Sequence, residues 1–335
     1  MNNKKIHYII DTKLISYTLF QTRRDITGFF DEVYNILSKQ PTPHHVYFVS
    51  DIGKSEYRLN ISSYYKGKRS EERVARALKN PQQKVIDDKF AEDYLKLVAL
   101  LSDLPTKLFT NIVVDNVEAD DTASILCNTL SQDTNNRISL VTRDQDWLHS
   151  VIDTTNVKIL SPYHSEDDKY AEFAKLSYNV RNRNEFTLRK ALFGDTGDSI
   201  LGVKFVGDKA ANTIWSNVQV EAGENPITLD MVYENMMLWI NSQKNPARYI
   251  VHPKYIEHNV VPAGEYKQLL ETNYALGRII IELDELSTEQ QEQYNDSISR
   301  TVPSKDLDMF NIGIEVFGRP ILIQSEAKAF YECKA

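Results

Sequence analysis

The stretch LFTNIVVDNVEADD, residues 108–121, joins a predicted buried strand to a helix whose first turn is crowded with acids. Glu118, Asp120 and Asp121 fall within four positions of one another, where like charges repel. Acids in a first helical turn gain roughly 0.3–1 kcal/mol from the helix dipole and the unpaired N–H groups, so helix capping is one explanation. A bound cation is the other, and the remainder of the sequence bears on the choice.

Strands and helices alternate along the first two-thirds of the chain, which predicts an α/β fold with a mostly parallel, twisted sheet flanked by helices. Strands are predicted at KIHYIID (5–11), HVYFVSD (45–51), LFTNIVVD (108–115) and NRISLVTRD (136–144), and helices at ITGFFDEVYNILSKQ (26–40), DDKFAEDYLKLVALLSDL (87–104) and EADDTASILCNTL (118–130). From Asn184 onward the pattern is mainly helical, and the polar STEQQEQYNDS (287–297) is left unassigned. We predict an α/β core at 1–183, a helical part at 184–284 and an extension of unknown role at 285–335.

Charge is distributed unevenly along the 335 residues. The net charge is −8, yet the segment from Lys54 to Lys84 holds nine basic and three acidic residues. A cationic arm beside an acidic pocket would explain this split, although a charge run is more often a solvated helix face. Tyr57, Tyr64 and Tyr65 lie in the same segment and are available for base stacking, but packing is expected for each.

The sequence excludes several classes of protein. No apolar run approaches the roughly 20 residues of a membrane helix, and IHYII is shorter than the roughly 7–15 apolar residues of a signal peptide. The two cysteines and seven histidines lack zinc-type or disulfide spacing. We therefore predict a cytoplasmic protein that does not associate with membranes.

Acids follow every predicted strand. Because ligands bind outside the carboxyl ends of parallel strands, these side chains should converge at one edge of the sheet. The set comprises Asp11, Asp51, Glu118, Asp120, Asp121, Asp144 and Asp146, and the GDTGD turn adds Asp195 and Asp198. Helix capping satisfies each acid separately and gives no reason for four successive strands to end in an acid. A bound divalent cation does give a reason, because Mg²⁺ and Mn²⁺ prefer oxygen ligands. Nine acids are enough to bind two ions. Two metal ions roughly 4 Å apart are the arrangement that catalyses in-line displacement at phosphorus.

These motifs resemble the 5′ nuclease (flap endonuclease) family, especially the phage-type 5′–3′ exonucleases and the 5′-nuclease domain of bacterial DNA polymerase I. VEADD (117–121) is similar to the family's E-A-D-D motif, and VTRDQDW (141–147) to its (S/T)-x-D-G-D pattern. LFGDTGDSILGVKFVGDKAA (192–211) resembles its helix–three-turn–helix, and YYKGKR (64–69) its helical arch. The resemblance runs from about Ile6 to Trp215.

The family assigns roles to matching positions of this chain. It implies that the nine acids bind two Mg²⁺ ions, with Mn²⁺ able to substitute, either directly or through water. Asp51, Glu118 and Asp120 are placed nearer the first ion, and Asp146, Asp195 and Asp198 nearer the second. Lys66 and Arg69 match arch residues that contact the scissile phosphate, and the arch covers about 53–84. Nucleic-acid contacts are expected at Lys68, Arg73, Gly202, Lys204, Gly207 and Lys209, with a monovalent cation at the helix–three-turn–helix (about 194–215).

Three positions depart from the family pattern. Gln145 stands where a glycine separates the paired aspartates, Ser199 replaces an asparagine, and Phe205 replaces the middle glycine of the hairpin. Every metal-ligand position is retained.

The resemblance implies a monomeric, structure-specific 5′ nuclease acting on 5′ flaps, nicked or gapped DNA and primers in RNA–DNA hybrids. It would work at replication, in the cytoplasm of a bacterial host if the protein is viral, beside a single-strand binding protein or clamp. One alternative is a catalytically idle protein that binds branched DNA. Another is a metal-dependent phosphatase, which would need a DxD motif after the first strand, where this chain has Asp11-Thr12-Lys13.

Overall fold

The computed structural model describes residues 4–103, 108–162 and 178–300. The strands are β1 (Lys5–Asp11), β2 (His45–Ile52), β3 (Phe109–Asp115), β4 (Asn136–Val141) and β5 (Val157–Leu160). The helices are α1 (Thr12–Arg23), α2 (Phe29–Leu37), α3 (Glu56–Ile61), α4 (Gly67–Lys79), α5 (Pro81–Ser102), α6 (Ala119–Ser131), α7 (His149–Ile152), α8 (Arg183–Phe193), α9 (Asp208–Ala222), α10 (Leu229–Asn241), α11 (Pro253–Glu257), α12 (Tyr266–Gly277) and α13 (Thr288–Ser299). Short 3₁₀ helices occur at Gln145–Leu148, Pro246–Arg248 and Leu283–Glu285.

The chain forms two units that are discontinuous in sequence. The first comprises Met1–Lys54, Gln82–Phe173 and Ile279–Ala335, and the second comprises Ser55–Pro81 and Ala174–Arg278. The basic segment thus belongs to the second unit, whereas the sequence analysis grouped it with the α/β core. The predicted extension at 285–335 lies outside the described residues from 301 onward.

The first unit is built on a five-stranded sheet with the order β3-β2-β1-β4-β5. All four strand pairings are parallel, which confirms the predicted fold class. Its core contains Ile10, Val46 and Phe48 from the strands, packed with helical side chains such as Phe29. Because every strand runs in the same direction, their carboxyl ends meet at one edge.

Helix α1 and strand β5 were not predicted from the sequence. α1 is rich in β-branched residues, which weaken a helical signal, and it begins directly at Asp11 without an intervening loop. The Asp11 side chain caps it by accepting from the N–H of Leu14 at 2.9 Å. Ile15, Leu19 and Phe20 of α1 are buried, so tertiary packing stabilises this helix. β5 has only four residues, at the short end of the range for strands.

Helix α13 occupies the segment that was left unassigned. Ser287 and Gln290 form a capping box at its start, so the S-x-x-Q spacing was a usable signal. Gln293 accepts from the N–H of Asp115 at 2.8 Å, and Gln290 donates to the carbonyl of the same residue. α13 therefore docks on the end of edge strand β3 and shields it from further pairing.

A buried asparagine organises the second unit. Asn273 of α12 donates to the carbonyl of Ala191 at 3.0 Å and to that of Leu201 at 3.1 Å. The Tyr255 hydroxyl donates to Asn273 Oδ1 at 3.0 Å and also lies 3.1 Å from the Leu201 N–H, which donates to it. The fully buried side chain of Asn273 therefore connects four parts of this unit: α8, the loop that follows it, α11 and α12.

Replacing Asn273 by leucine should lower the free energy of unfolding by about 2–4 kcal/mol, because two buried carbonyls lose their donors. Chemical denaturation followed by circular dichroism would measure the loss. Asn217→Leu on the exposed side of α9 is the matched control and should change stability by less than about 0.5 kcal/mol. Equal stability of the two variants would show that Asn273 does not hold this loop.

Candidate metal and nucleic-acid site

Four segments deliver carboxylates to the carboxyl edge of the sheet in the first unit. Asp11 is the last residue of β1, Asp51 lies near the end of β2, and Glu118 follows β3. Asp11 is in register with Val49, and Asp51 with Val114, so adjacent strands end together. Asp144 and Asp146 follow β4 and open the next turn.

Three of these acids, Glu118, Asp120 and Asp121, form a cluster that we call the acidic triad. Each of the three carboxylates offers an oxygen that lies within 4.8 Å of the other two. Glu118 and Asp121 are buried, and Asp120 is half-buried. Carboxylate oxygens at this spacing fit a hard divalent cation, since Mg²⁺ and Ca²⁺ take oxygen ligands.

Helix capping accounts for only part of the triad. Glu118 occupies the N-cap position of α6, but its side chain accepts no capping hydrogen bond there. Asp120 Oδ1 accepts from the N–H of Asp121 at 3.0 Å, and Asp121 Oδ1 accepts from the N–H of Ile280 at 2.9 Å. Asp121 thus also anchors the chain that returns after the second unit. Helix capping therefore does not by itself explain why three acids lie here, and their oxygens are close enough together to bind one cation.

Asp11 is held between two neutral donors. Leu14 donates its N–H to Oδ1, and the Thr142 hydroxyl donates to Oδ2 at 3.0 Å. Burial, together with the negative charges of Asp144 and Asp51, raises the pKa of Asp11 to about 7 even though the hydrogen bonds from Leu14 and Thr142 lower it. This edge of the sheet is therefore short of positive charge, which a divalent cation would supply.

Asp51 has a cationic partner that the sequence analysis did not identify. Lys13 Nζ lies 2.9 Å from its Oδ2, and the Tyr94 hydroxyl donates to its Oδ1 at 3.4 Å. Lys13 is half-exposed, so this pair is of the weak surface kind and can be displaced. Lys13 follows Asp11 by two residues, but nothing in that spacing marks it as a partner of β2.

The turn after β4 shows a local role for Asp144. Its side chain accepts from the N–H of Asp146 at 3.0 Å and so begins the 3₁₀ helix. Gln145 lies inside this helix, a conformation that does not require the family's glycine. Asp146 belongs to the first unit and Asp195 and Asp198 to the second, so the predicted grouping of these three stays a prediction.

In the second unit, residues 194–200 form a tight hairpin that carries Asp195 and Asp198. Asp195 and Ile200 exchange two backbone hydrogen bonds of 2.8 Å. Gly194 has a φ of +75°, and a Cβ there would lie 2.7 Å from the carbonyl oxygen of Ile200, so only glycine fits. Asp195 Oδ1 accepts from the N–H groups of Gly197 and Asp198. The hairpin therefore fixes both carboxylates.

The hairpin acids are surrounded by cations. Arg69 lies 3.0 Å from Asp198 Oδ1, and Lys66 Nζ lies 3.9 Å from the same oxygen. Lys190, which the sequence analysis missed, lies 3.1 Å from Asp195 and 3.9 Å from Asp198. It sits one helical turn before the hairpin on α8, and no motif singles it out. The two predicted arch residues thus meet the predicted hairpin within one unit.

Backbone contacts also join the arch to the hairpin. The N–H of Lys66 donates to the Asp198 carbonyl, and that of Lys68 donates to Ser199 Oγ, both at 3.0 Å. The Tyr65 hydroxyl donates to Asp198 Oδ2 at 3.4 Å. Tyr64 and Tyr65 are buried, so the expected packing is confirmed for both. Lys66 itself has a φ of +54°, a left-handed conformation that is uncommon for lysine and is fixed by these contacts.

The remaining predicted contact residues lie on exposed surface. Arg73 and the side chain of Lys68 are on α4, which buries none of its residues. Lys204 and Gly207 belong to the loop before α9, and Lys209 is exposed in its first turn. Gly202 is the exception, since it is half-buried, and a Cβ there would lie at an ordinary van der Waals distance of 3.5 Å from the Leu192 carbonyl oxygen. In the described parts of the chain, no helix is both long and apolar enough to cross a membrane.

Comparison with known proteins gives concordant results. Residues 5–179 match the family model of the 5′-3′ exonuclease, N-terminal resolvase-like domain. The flap endonuclease of Escherichia phage T5 is 29% identical over 181 residues, which cover 53% of this chain and 57% of that protein. A 5′-3′ exonuclease of Buchnera aphidicola is 25% identical over 225 residues, which cover 62% of this chain and 69% of that protein.

The fold has a counterpart among solved structures. The T5 5′-exonuclease with bound zinc ions aligns with a TM-score of 0.65 at 21% identity, over 88% of this chain and 98% of that one. This likeness shows the shared fold, and the family model covers just over half of the chain. The resemblance found in the sequence motifs is confirmed: the chain belongs to the 5′-3′ exonuclease family, through its N-terminal resolvase-like domain.

Proposed function

We propose that this protein is a divalent-metal-dependent 5′ nuclease. It would hydrolyse phosphodiester bonds of DNA at 5′ flaps and 5′ ends, and those of RNA primers in RNA–DNA hybrids. The acidic triad carries this proposal, since three carboxylates with oxygens within 4.8 Å of one another lie where a parallel sheet binds ligands. The relatives named flap endonuclease and 5′-3′ exonuclease support the substrate class.

The donor set fits a hard cation. Glu118 and Asp120 are proposed as direct ligands, whereas Asp121, which is fully buried and accepts from the N–H of Ile280, and Asp11, which accepts from Leu14 and Thr142, are proposed to lie farther from the ion. Those two acids, and Asp51 beside Lys13, would act through water. When bound, two divalent ions would polarise the phosphate, stabilise the charge that builds on the attacking and leaving oxygens, and favour ionisation of the attacking water. Mg²⁺ is the proposed physiological ion, and the second ion at Asp146, Asp195 and Asp198 remains a sequence-based prediction.

Lys66 and Arg69 are proposed to bind the scissile phosphate. Arg69 is well exposed, and its guanidinium can exchange Asp198 for a phosphate, which a guanidinium can bind through two parallel N–H groups. The Lys66 backbone is fixed by its hydrogen bond to the hairpin, so its ammonium group stays near the acids instead of moving freely. Both side chains would offset negative charge on phosphorus oxygens as water attacks in line and the 3′ oxygen leaves, giving a product with a 5′-phosphate.

The phosphatase alternative conflicts with the geometry of Asp11. Both of its oxygens accept hydrogen bonds and the side chain is buried, so it is not presented as a nucleophile. A catalytically idle DNA-binding protein would keep the fold and lose turnover. Activity assays separate that alternative from the nuclease.

The test uses end-labelled 5′-flap DNA, nicked duplex and RNA–DNA hybrid, each incubated with Mg²⁺, Ca²⁺ or EDTA. We expect cleavage from the 5′ side in Mg²⁺ and none in EDTA. Asp146→Asn should reduce cleavage at least about 100-fold while binding persists in Ca²⁺, because a metal ligand is lost. Binding without cleavage by the unaltered protein would leave the idle DNA-binding protein as the function, and unchanged turnover of Asp146→Asn would remove that residue from the site.

Divalent cations should also stabilise the folded protein in the absence of substrate. By mass action, a ligand at 100 times its Kd adds about 2.7 kcal/mol to the free energy of unfolding. Thermal denaturation in EDTA and in Mg²⁺ or Mn²⁺ measures this gain. Glu118→Gln should abolish most of it, whereas Glu289→Gln, in the exposed first turn of α13, should retain it. Melting curves that coincide in EDTA and saturating metal would contradict a cation site at the triad.

Lys66→Ala should slow the chemical step by about 10–100-fold without raising the metal concentration needed for half-maximal rate, since the lysine contacts phosphate. Single-turnover cleavage at several Mg²⁺ concentrations separates the two effects. The control is Lys79→Ala. Lys79 is exposed at the C-terminal end of α4, the helix that begins directly after Lys66, and its replacement should leave the single-turnover rate within about threefold. Full activity of Lys66→Ala would refute its assigned role.

A further inference from the structure

Phe205 is an exposed aromatic residue in the loop between α8 and α9. Its side chain is 60% exposed. Single exposed apolar residues are common on protein surfaces and by themselves indicate nothing. Phe205 differs from them in its backbone conformation and in its neighbours.

The backbone of Phe205 is in the left-handed region, with a φ of +71°. A bulky residue at positive φ is a conformational outlier, and glycine would adopt the same backbone without strain. The loop on either side is anchored: the N–H of Lys204 donates to the Ile250 carbonyl at 2.8 Å, and that of Val206 donates to the Val203 carbonyl at 3.1 Å. The protein therefore holds an aromatic ring in solvent at a position where the backbone favours glycine.

Two cations flank the ring. Lys204 Nζ lies 5.1 Å from its centroid and Arg248 Cζ lies 5.9 Å from it. Arg248 is fixed in place by a 2.7 Å hydrogen bond from its guanidinium to the Tyr249 hydroxyl. Burial lowers the pKa of the nearby His252, and the positive charges of Lys204 and Lys254 lower it further, which indicates a positive potential around this loop. An apolar ring between cations complements a nucleic acid, which alternates anionic phosphates with apolar sugar and base surfaces.

The isolation of the ring favours a duplex over a single strand. Proteins that hold single strands present several aromatic rings in succession. Tyr249, the next aromatic residue of this cluster, is only 2% exposed, so Phe205 offers one ring. Apolar wedges that enter the minor groove of a duplex, in contrast, are single side chains accompanied by basic residues.

We propose that Phe205 is a DNA-contact residue that packs against the sugar and base edges of the duplex minor groove, while Lys204 and Arg248 bind the flanking phosphates. This inference rests on the proposed function, because it assumes that the protein binds DNA. The Phe205 ring would make a contact with DNA that a glycine at this position cannot make. Phe205 would therefore strengthen binding to the duplex at a cost in backbone strain.

The test is binding of a short fluorescein-labelled DNA duplex by the full chain, measured by anisotropy with Ca²⁺ in place of Mg²⁺. Phe205→Gly should weaken duplex binding roughly 10-fold, the scale of one lost aromatic contact, yet keep the Tm within about 3 °C because glycine relieves the strained φ. Phe205→Trp should restore tight binding. Leu238→Ala removes a side chain that is 69% exposed on α10 and should bind like the unaltered protein.

Salt dependence separates the ring from the cations. Between about 50 and 200 mM salt, Phe205→Gly should keep the slope of log K against log salt, whereas Lys204→Gln should reduce its magnitude by about 0.9. Duplex binding by Phe205→Gly equal to that of the unaltered protein would overturn the inference alone and leave the nuclease proposal standing. An equal loss on the single strand of the same sequence would overturn the assignment to the duplex. Absence of any duplex binding by the unaltered protein would overturn both proposals.

Discussion

The electrostatic cost of crowding carboxylates at one edge of a parallel sheet is the constraint on which this structure depends. Asp11 shows that cost directly, since burial and the neighbouring charges of Asp144 and Asp51 raise its pKa to about 7. Within the acidic triad, Asp120 and Asp121 accept backbone hydrogen bonds, and the side chain of Glu118 makes no capping hydrogen bond at the start of α6. A cation bound to the group would offset this cost, and under the proposed function it would supply the chemistry of phosphodiester hydrolysis.

The second unit compensates the same kind of charge with its own side chains. Asp195 and Asp198 lie beside Lys190, Arg69 and Lys66, so positive side chains within this unit offset part of their charge. Of these cations only Arg69 is well exposed, and its ion pair with Asp198 contributes little to stability, which supports the proposal that it can exchange Asp198 for a phosphate. The strained backbones of Lys66 and Phe205 both occur in this unit, at the arch and in the loop before α9. Strain of this kind is concentrated at functional sites, where the surrounding structure holds a conformation that the residue alone would not adopt.

Much of the fold could be predicted from the sequence, because β1, β2, β3 and β4 are apolar runs of ordinary strand length that alternate with amphipathic helices. The acids at their ends were found for the same reason, since parallel topology determines where strand ends meet. Helix α1 was missed because its β-branched composition hides a helix that packing and the Asp11 cap stabilise. Lys13 and Tyr94 were missed because they contact Asp51 from positions far away in sequence, which periodicity does not encode. Lys190 is close in sequence to Asp195, but no motif marks it as a partner. The hairpin was predicted from the glycines that flank its acids. At Gly194 the reason is steric, since a Cβ there would collide with the carbonyl oxygen of Ile200.

The most direct test of the central claim is to locate the ions. Crystals of the protein soaked in Mn²⁺ and measured at the manganese absorption edge would show each bound ion as a peak in the anomalous difference map. Our account predicts a peak about 2–2.5 Å from carboxylate oxygens of Glu118 and Asp120. A map without a peak at this group, in crystals where the triad oxygens keep only their hydrogen bonds to neighbouring N–H groups, would contradict it.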